Sequence, residues 1–269
     1  MFEAQPTSTS VYQPVEYGAL RAYQFPALAQ TRHAVFTRLG GISQPPWQGL
    51  NLGQAVGDSP LHVKTNFDLA CQALEMNPQR TVACHLVHGN RVAVAPNHLA
   101  GQLLGQADAL ITRQPGLWLT MRFADCTPLL FFDPATPAVG LGHAGWRGTM
   151  QNVAGAVIEA MGHHFGSKPE EITMVIGPSI GPCCYQVGTD VLAAAGQAFA
   201  KPGEFFNKSD QGLYFDLWQA NARQAERVGV KQVVVSGLCT ACRTAEFFSH
   251  RAEKGKTGRF GVFLGIPER

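Results

Sequence analysis

The chain has 269 residues, of which 45% are hydrophobic and 15% charged, and its formal net charge is +2. This composition is typical of a folded protein with a large core and excludes a disordered chain. No Lys/Arg-rich run provides a basic stripe for nucleic acid, and no leader pattern or apolar run of roughly 20 residues indicates a secretory signal or a membrane span. Seven cysteines without a disulfide-scaffold pattern favour a reducing compartment. We therefore expect a cytoplasmic protein that binds neither nucleic acid nor membrane.

Short apolar runs bounded by turn residues predict β-strands, and apolar residues at helical spacing predict helices between them. In chain order we expect a helix at 60–76, strands at 81–87, 91–95, 117–123, 129–132 and 138–141, a helix at 149–165, a strand at 172–176, helices at 190–199 and 216–228, and strands at 232–235 and 260–264. Ser59 is the expected cap of the first helix, and Pro60 fits its first position. The pattern predicts a mixed α and β fold.

Three residues in rigid turns carry side chains that bind zinc or copper. His88 follows the strand predicted to end at residue 87, Cys126 follows the one ending at 123, and His143 follows the one ending at 141. Because sites in α/β proteins form where strands end, we expect the three to converge. Two imidazoles and a thiolate would leave one coordination position open for water or substrate. Taken alone, a histidine after a strand is more often structural, and a single cysteine is usually a buried apolar residue.

Four further polar residues, two beside these turns and two near the N-terminus, are candidates for catalysis. Asp125 adjoins the thiol of Cys126 and is the candidate proton shuttle. Arg147 lies in a glycine-flanked turn before a predicted helix, where backbone N–H groups favour an anion. Arg38 and Asn51 lie in glycine-rich segments and are hypothesised to contact phosphate or sugar, or else the glycines there only shape loops.

The remaining cysteines give a weaker pattern. Cys239 and Cys242 form a Cys-x-x-Cys that is either redox-active or half of a zinc site, but no second Cys-x-x-Cys completes it. Cys183 and Cys184 are adjacent and follow Gly181-Pro182, so we interpret them as turn and core residues.

A series of motifs resembles the laccase-domain family, whose members were once called polyphenol oxidases and are now described as purine nucleoside phosphorylases. The similarity runs from about residue 33 to the C-terminus. The motifs begin at Phe36 (FTRLGG), Leu50 (LNLG), Val56 (VGD), Val87 (VHG), Ala107 (ADALIT), Ala124 (ADCTP), Gly142 (GHAGWRGT), Ile176 (IGPSIGPCCY), Phe215 (FDL), Phe247 (FFSHR) and Thr257 (TGR).

The resemblance implies an α+β fold with a single αββα-type domain, in which mixed sheets are flanked by helices, similar to the deamidase domain of cytotoxic necrotizing factor. Residues 1–32 would be an extension leading into the fold, and residues 33–269 the domain. It also implies zinc, or copper, on His88, Cys126 and His143. The implied activity is phosphorolysis of adenosine, inosine and S-methyl-5'-thioadenosine, with adenosine deamination at the same site, so the partners would be a purine nucleoside and phosphate.

The chain departs from the family pattern at two places beside these motifs. Leu86 stands where the family usually has Gln, and His250-Arg251-Ala252 stands in place of Tyr-Arg-Arg. Both departures affect substrate fit rather than the metal ligands.

Other functions remain open at the level of the sequence. A multi-copper oxidase holds its copper ions largely through His-x-His pairs, whereas this chain has nine histidines and no His-x-His. One copper would support only slow polyphenol oxidation. Deamination fits an activated water, although the Glu of the zinc deaminase signature is absent. Cys126 with His143 or His88 could instead form an amide hydrolase acting on a peptidoglycan precursor. A non-catalytic binding module is the third class.

Overall fold

The computed structural model describes residues 10–268. Its helices are α1 (Pro60–Ala73), α2 (Trp146–Met150), α3 (Val153–Phe165), α4 (Thr189–Ala198) and α5 (Leu217–Arg227). Its strands are β1 (Gln13–Tyr17), β2 (Leu20–Gln24), β3 (Arg32–Phe36), β4 (Thr81–His85), β5 (Val92–Val94), β6 (Leu103–Gln106), β7 (Ala109–Thr112), β8 (Trp118–Phe123), β9 (Thr127–Asp133), β10 (Ala138–Ala144), β11 (Thr173–Ile176), β12 (Gln186–Val187), β13 (Phe206–Ser209), β14 (Gly212–Phe215), β15 (Gln232–Val235) and β16 (Phe260–Gly265).

Two mixed sheets form the centre of the molecule. The first has the order β1-β2-β3-β16-β8-β4-β6, and the second has the order β15-β11-β9-β10-β7-β5. Helix α1 packs on the outer face of the first sheet, and α3 and α5 pack on the outer face of the second. The layers therefore follow one another as helix, sheet, sheet and helix, which confirms the predicted α+β fold of αββα type.

The strand sequences explain why both faces of each sheet are covered. In β9, Leu130 and Phe132 face the core between the sheets, while Leu129 and Phe131 face α3 and α5. Since neighbouring side chains of a strand point to opposite faces, a continuous apolar run fits a strand that is buried on both sides. A third, small sheet of β12, β14 and β13 packs with α4 in a satellite core.

Several predicted boundaries were wrong in ways that matter for the site. The strand expected to end at residue 141 continues to Ala144, so His143 lies within β10 and pairs with Pro128 of β9. The helix expected over 149–165 is two helices, because Asn152 adopts a left-handed conformation (φ 60°) and its side chain caps Gly155 N–H. The first predicted helix ends at Ala73, and the hydroxyl of Ser59 makes no capping bond, although Pro60 does occupy its first turn.

The N-terminal segment contributes to the first sheet. Residues 13–24 form β1 and β2, which pair with each other and join β3 through β2. Residues 1–9 of the extension predicted at 1–32 lie outside the described residues. Among residues 10–268, no helix has the length and apolar character needed to cross a membrane.

Candidate metal centre and its cavities

His88 is presented by a turn that a buried carboxylate holds together. The N–H groups of Val87, His88 and Gly89 donate to the two oxygens of Asp108 over 3.2, 2.8 and 2.7 Å. His88 itself has a φ of 62°, which is unusual for a residue with a side chain. The three hydrogen bonds explain how the turn is held in this conformation, with the imidazole facing the other two candidate ligands.

The Cys126 thiol lies in the short turn between β8 and β9. Asp125 before it has a φ of 82°, and its carboxylate accepts the Thr240 hydroxyl at 2.7 Å and the Arg251 N–H at 2.6 Å. The carbonyl of Asp125 accepts the N–H of Ile180 at 3.0 Å. Bonds to three separate segments of chain therefore fix the position of the thiol.

His143 is the most rigidly held of the three candidate ligands. It lies in β10, is 3% exposed, and its Nδ1 is 3.4 Å from Oδ1 of Asp108. A carboxylate beside one imidazole nitrogen orients the ring and leaves the other nitrogen for a metal. Asp108 therefore positions two candidate ligands at once: it accepts a hydrogen bond from the backbone of His88 and lies beside the ring of His143.

The structure brings these three side chains together. One ligand atom from each of His88, Cys126 and His143 lies within 4.8 Å of the others. Burial alone would raise the pKa of the Cys126 thiol, but the charge of His143 and hydrogen bonds from both histidines outweigh it and lower the pKa to about 6. Burial would lower the pKa of His143, but the Cys126 thiolate and Asp108 raise it to about 9. Two imidazoles and an easily formed thiolate are a donor set that fits zinc.

Two adjoining cavities open onto this cluster. The first, of about 440 Å³, is lined by Leu86, His88, Arg122, Ala124, Asp125, Cys126, His143, Ile180, Tyr185, His250, Arg251 and Arg259. The second, of about 290 Å³, is lined by His88, Asp125, Cys126, Gly145, Trp146, Arg147, Ile180, Tyr185, Leu217 and His250. Arg251 and Arg259 line only the first cavity, and Trp146, Arg147 and Leu217 line only the second, while Tyr185 lines both.

Gly145 leaves the space between two of the candidate ligands clear. A Cβ atom at this position would be 3.0 Å from Sγ of Cys126 and 3.5 Å from Cδ2 of His88. The backbone φ of Gly145 is −75°, a value open to any residue. The approach to the cluster therefore depends on the missing side chain.

Of the four predicted catalytic residues, two line the cavities and two do not. Asp125 lines both cavities and Arg147 lines the second, where its guanidinium stacks on Trp146 at 4.3 Å. Arg38 lines a separate cavity of about 600 Å³, where it binds Glu253 at 2.8 Å. Asn51 is buried: its amide donates to Asp58, and its oxygen accepts the N–H of Arg259 at 2.8 Å.

Arg38 and Asn51 contact the site only through other residues. The Glu253 carboxylate that binds Arg38 also accepts the N–H of Ser249, next to His250. Asn51 fixes the backbone of Arg259, whose side chain lines the first cavity. Both residues therefore support the segment of residues 249–259, which supplies one wall.

Sequence reasoning missed several residues of the site. Asp108 had a usable signal, since it is a carboxylate placed directly before the apolar strand β7, where a charge is costly unless it is hydrogen-bonded. Arg122 likewise interrupts the apolar strand β8. Tyr185, Arg251 and Arg259 gave no comparable signal, because they come from loops that only the tertiary fold brings to the cluster.

The chain is similar to known proteins over most of its length. The family model described as "Multi-copper polyphenol oxidoreductase laccase" matches residues 32–267. The chain is 35% identical to the protein named purine nucleoside phosphorylase YlmD of Geobacillus stearothermophilus, over 96% of this chain and 98% of that one. It is 35% identical to purine nucleoside phosphorylase YfiH of Escherichia coli, over 86% and 91% of the two chains.

A solved structure shows the same architecture. The crystal structure of YlmD from Geobacillus stearothermophilus superposes with a TM-score of 0.90 at 33% identity, covering 97% of this chain and all of that one. The fold and the site thus define a laccase-domain protein with a His–Cys–His cluster at its centre. The chain belongs to the multi-copper polyphenol oxidoreductase laccase family, which confirms the resemblance found in the sequence.

Proposed function

We propose that this protein is a purine nucleoside phosphorylase with adenosine deaminase activity at the same site. Its proposed substrates are adenosine, inosine and S-methyl-5'-thioadenosine, with phosphate as the second substrate. One observation carries the proposal: two adjoining cavities, one with Arg251 and Arg259 and the other with Trp146, Arg147 and Leu217, share His88, Asp125, Cys126 and Tyr185. A nucleoside and a phosphate ion need such a pair of adjoining environments. The names of the relatives support the same activity.

The arginines supply the proposed phosphate site. Arg251 and Arg259 line the first cavity, and Arg147 lines the second. Guanidinium groups bind phosphate oxygens through paired, charge-assisted hydrogen bonds. In phosphorolysis a phosphate oxygen forms a bond to C1' of the ribose as the bond from C1' to the base breaks. The arginines would hold the phosphate for this attack.

The aromatic residues supply the proposed base site. Tyr185 and Trp146 line the second cavity with Leu217, and flat apolar surfaces of this kind stack on a purine ring. The departing base must gain a proton in phosphorolysis. Asp125 is the proposed proton shuttle, since its carboxylate lines both cavities and is oriented by Thr240 and Arg251.

His88, Cys126 and His143 would hold the metal, and we propose zinc, with copper as the second choice. When bound, zinc would supply an open coordination position that lowers the pKa of a water molecule toward 7. In deamination the oxygen of water forms a bond to C6 of adenine, and ammonia leaves. Asp125 lies beside the thiol and would carry a proton from the water to the leaving amine.

The direct test is product analysis with purified, zinc-loaded protein. Adenosine should yield adenine and ribose 1-phosphate only when phosphate is present, and it should yield inosine by deamination whether phosphate is present or not. Release of free ribose instead would indicate hydrolysis and contradict phosphorolysis. Turnover of no purine nucleoside would contradict the whole proposal.

The arginine assignment has its own test. Arg147→Gln should raise the KM for phosphate about tenfold, because one charge-assisted hydrogen bond contributes about 1.5 kcal/mol. The matched control is Arg113→Gln, which removes an exposed guanidinium outside both cavities. If the KM for phosphate is equal in the two variants, Arg147 does not contact phosphate.

A second candidate is an amide hydrolase acting on a peptidoglycan precursor. The lowered pKa of the Cys126 thiol beside His143 favours it, because a thiolate next to an imidazole is the reactive form of a cysteine nucleophile. Metal-free protein that cleaves an amide and loses this activity on alkylation of Cys126 would establish it. A copper polyphenol oxidase has less support, since three donors hold one ion rather than several.

A further inference from the structure

Four cysteines from two loops meet at one edge of the second sheet. Cys183 and Cys184 follow β11, and Cys239 and Cys242 follow β15. Strands β11 and β15 are parallel neighbours in register, so the two loops leave the sheet at the same edge. The backbones of Ser179 in the first loop and Cys239 in the second pair as an isolated parallel β-bridge. The adjacent pair and the Cys-x-x-Cys pair are thereby brought together, although 54 residues separate Cys184 from Cys239 in the chain.

The sulfur positions match metal ligands rather than disulfides. The four Sγ atoms all lie within 4.8 Å of one another, and Cys242 Sγ is 3.5 Å from that of Cys183 and 3.3 Å from that of Cys184. A disulfide needs about 2.05 Å between its sulfurs. Around tetrahedral zinc each sulfur is about 2.3 Å from the ion, which puts neighbouring sulfurs about 3.8 Å apart.

A backbone donor already favours negative charge in this cluster. The N–H of Gly181 donates to Sγ of Cys239 at 3.2 Å. Four thiols this close ionise together only if a cation compensates their charge.

We propose that Cys183, Cys184, Cys239 and Cys242 form a second metal site, a tetrathiolate site for zinc. Binding replaces the thiol protons: four S–H bonds are lost, four zinc–sulfur bonds form, and four protons go to solvent. No oxidant or reductant takes part. Four protein ligands fill a tetrahedral shell and leave no position for substrate, so this site is structural.

The loops joined by this site also hold the catalytic turn. Ile180, between β11 and Cys183, donates its N–H to the carbonyl of Asp125. Thr240, inside the Cys-x-x-Cys, donates its hydroxyl to the Asp125 carboxylate at 2.7 Å. Zinc at the four cysteines would fix both loops against each other and keep Asp125 beside Cys126. The four cysteines therefore act as positioning residues.

The test is the zinc content of the reduced full-length chain, loaded without oxygen and passed over a weak chelator. The wild-type protein should retain two equivalents of zinc, Cys126→Ala one, Cys242→Ser one and the double variant none. The matched control is Cys71→Ala, which removes a buried thiol of α1 outside both clusters and should retain two. Circular dichroism should show the same fold in every variant.

X-ray absorption of the zinc left in Cys126→Ala gives a readout that needs no change in the four cysteines. An all-sulfur shell at about 2.3 Å would support the proposal. Three results would each overturn the proposal. They are a zinc shell that contains nitrogen, a wild-type protein that holds a single zinc equivalent which Cys126→Ala removes, and a disulfide to Cys242 in reducing buffer. If Cys242→Ser does not fold, the zinc content and absorption of Cys126→Ala still decide the question.

Discussion

The two cysteine-containing clusters of this protein place the same thiol chemistry in different surroundings. The His–Cys–His cluster (His88, Cys126 and His143) has three potential ligands and opens onto two cavities. The four-cysteine cluster (Cys183, Cys184, Cys239 and Cys242) has four potential ligands, and its residues line neither cavity. The contrast teaches that ligand number and access, rather than ligand type alone, separate a site for chemistry from a site for structure.

The clusters are also linked through one residue. Asp125 precedes Cys126 of the first cluster and receives hydrogen bonds from the loops that carry the second. Disturbing the first cluster should therefore remove activity directly, while disturbing the second should act through loop position. Substitutions in each cluster separate these two effects.

The largest expected effect is loss of nucleoside turnover in Cys126→Ala. We expect kcat/KM to fall at least about 100-fold, since loss of a ligand exceeds the 10–100-fold cost of losing a residue that only orients one. Cys242→Ser should lower kcat/KM less than tenfold but should lower the melting temperature more. Steady-state kinetics and thermal unfolding of the zinc-loaded proteins measure both quantities. Equal losses of activity would mean that the clusters do not divide their roles in this way.

An intermediate effect is expected for Asp108→Asn. The substitution keeps the size of the side chain but removes the charge beside His143, so zinc affinity at the His–Cys–His cluster should fall 10–100-fold. Asp133→Asn is the matched control, because Asp133 is another fully buried carboxylate that caps a turn, through Ala135 N–H and Thr136. Competition with a chelator measures the affinity. A similar loss in both variants would show that Asp108 acts through stability alone.

The most remote effect concerns acid stability at His33, which belongs to neither cluster. Burial lowers the pKa of His33 to about 4. Its Nε2 accepts the N–H of Phe25 at 2.8 Å, so the folded protein needs the neutral ring. The unfolded chain binds a proton near pH 6.5 and the folded chain does not, so stability is complete above pH 6.5 and falls toward pH 4, by about 3 kcal/mol at most.

Urea unfolding of metal-free protein at pH 7 and pH 4.5 measures this effect. In His33→Gln the difference in unfolding free energy between the two pH values should be smaller than in wild type. Because metal release from the clusters also requires acid, metal-free protein isolates the contribution of the fold. If the difference in unfolding free energy between pH 7 and pH 4.5 is the same in His33→Gln as in wild type, the acid sensitivity comes from other groups.

The sequence predicted the His–Cys–His cluster from residue types, strand-end placement and the family motifs taken together. Strand ends suggested convergence, yet His143 lies inside β10, and it meets the others because β10 pairs with β9 directly after Cys126. Asp108 escaped notice, since its partners are backbone N–H groups of a distant turn. Hydrogen bonds of this kind leave no pattern in the spacing of side chains.

The four-cysteine cluster could not be predicted, because a second Cys-x-x-Cys was the expected partner. The structure supplies an adjacent pair instead, and only the parallel pairing of β11 with β15 brings it to the other pair. Cys183 and Cys184 do lie in a turn, as expected, but Cys183 is exposed and Cys184 only packs at the edge of the satellite core. Sheet order is long-range information, and apolar runs of four residues do not encode it.

Access to the His–Cys–His cluster depends on the absence of a Cβ atom at Gly145. Its φ of −75° suits alanine, so Gly145→Ala would leave the backbone unstrained. The added methyl would lie 3.0 Å from the sulfur of Cys126. Such a variant would keep all three candidate ligands, but the Cys126 sulfur would have to move by a few tenths of an ångström, so crowding at the cluster could be changed without altering its charge or its donor types.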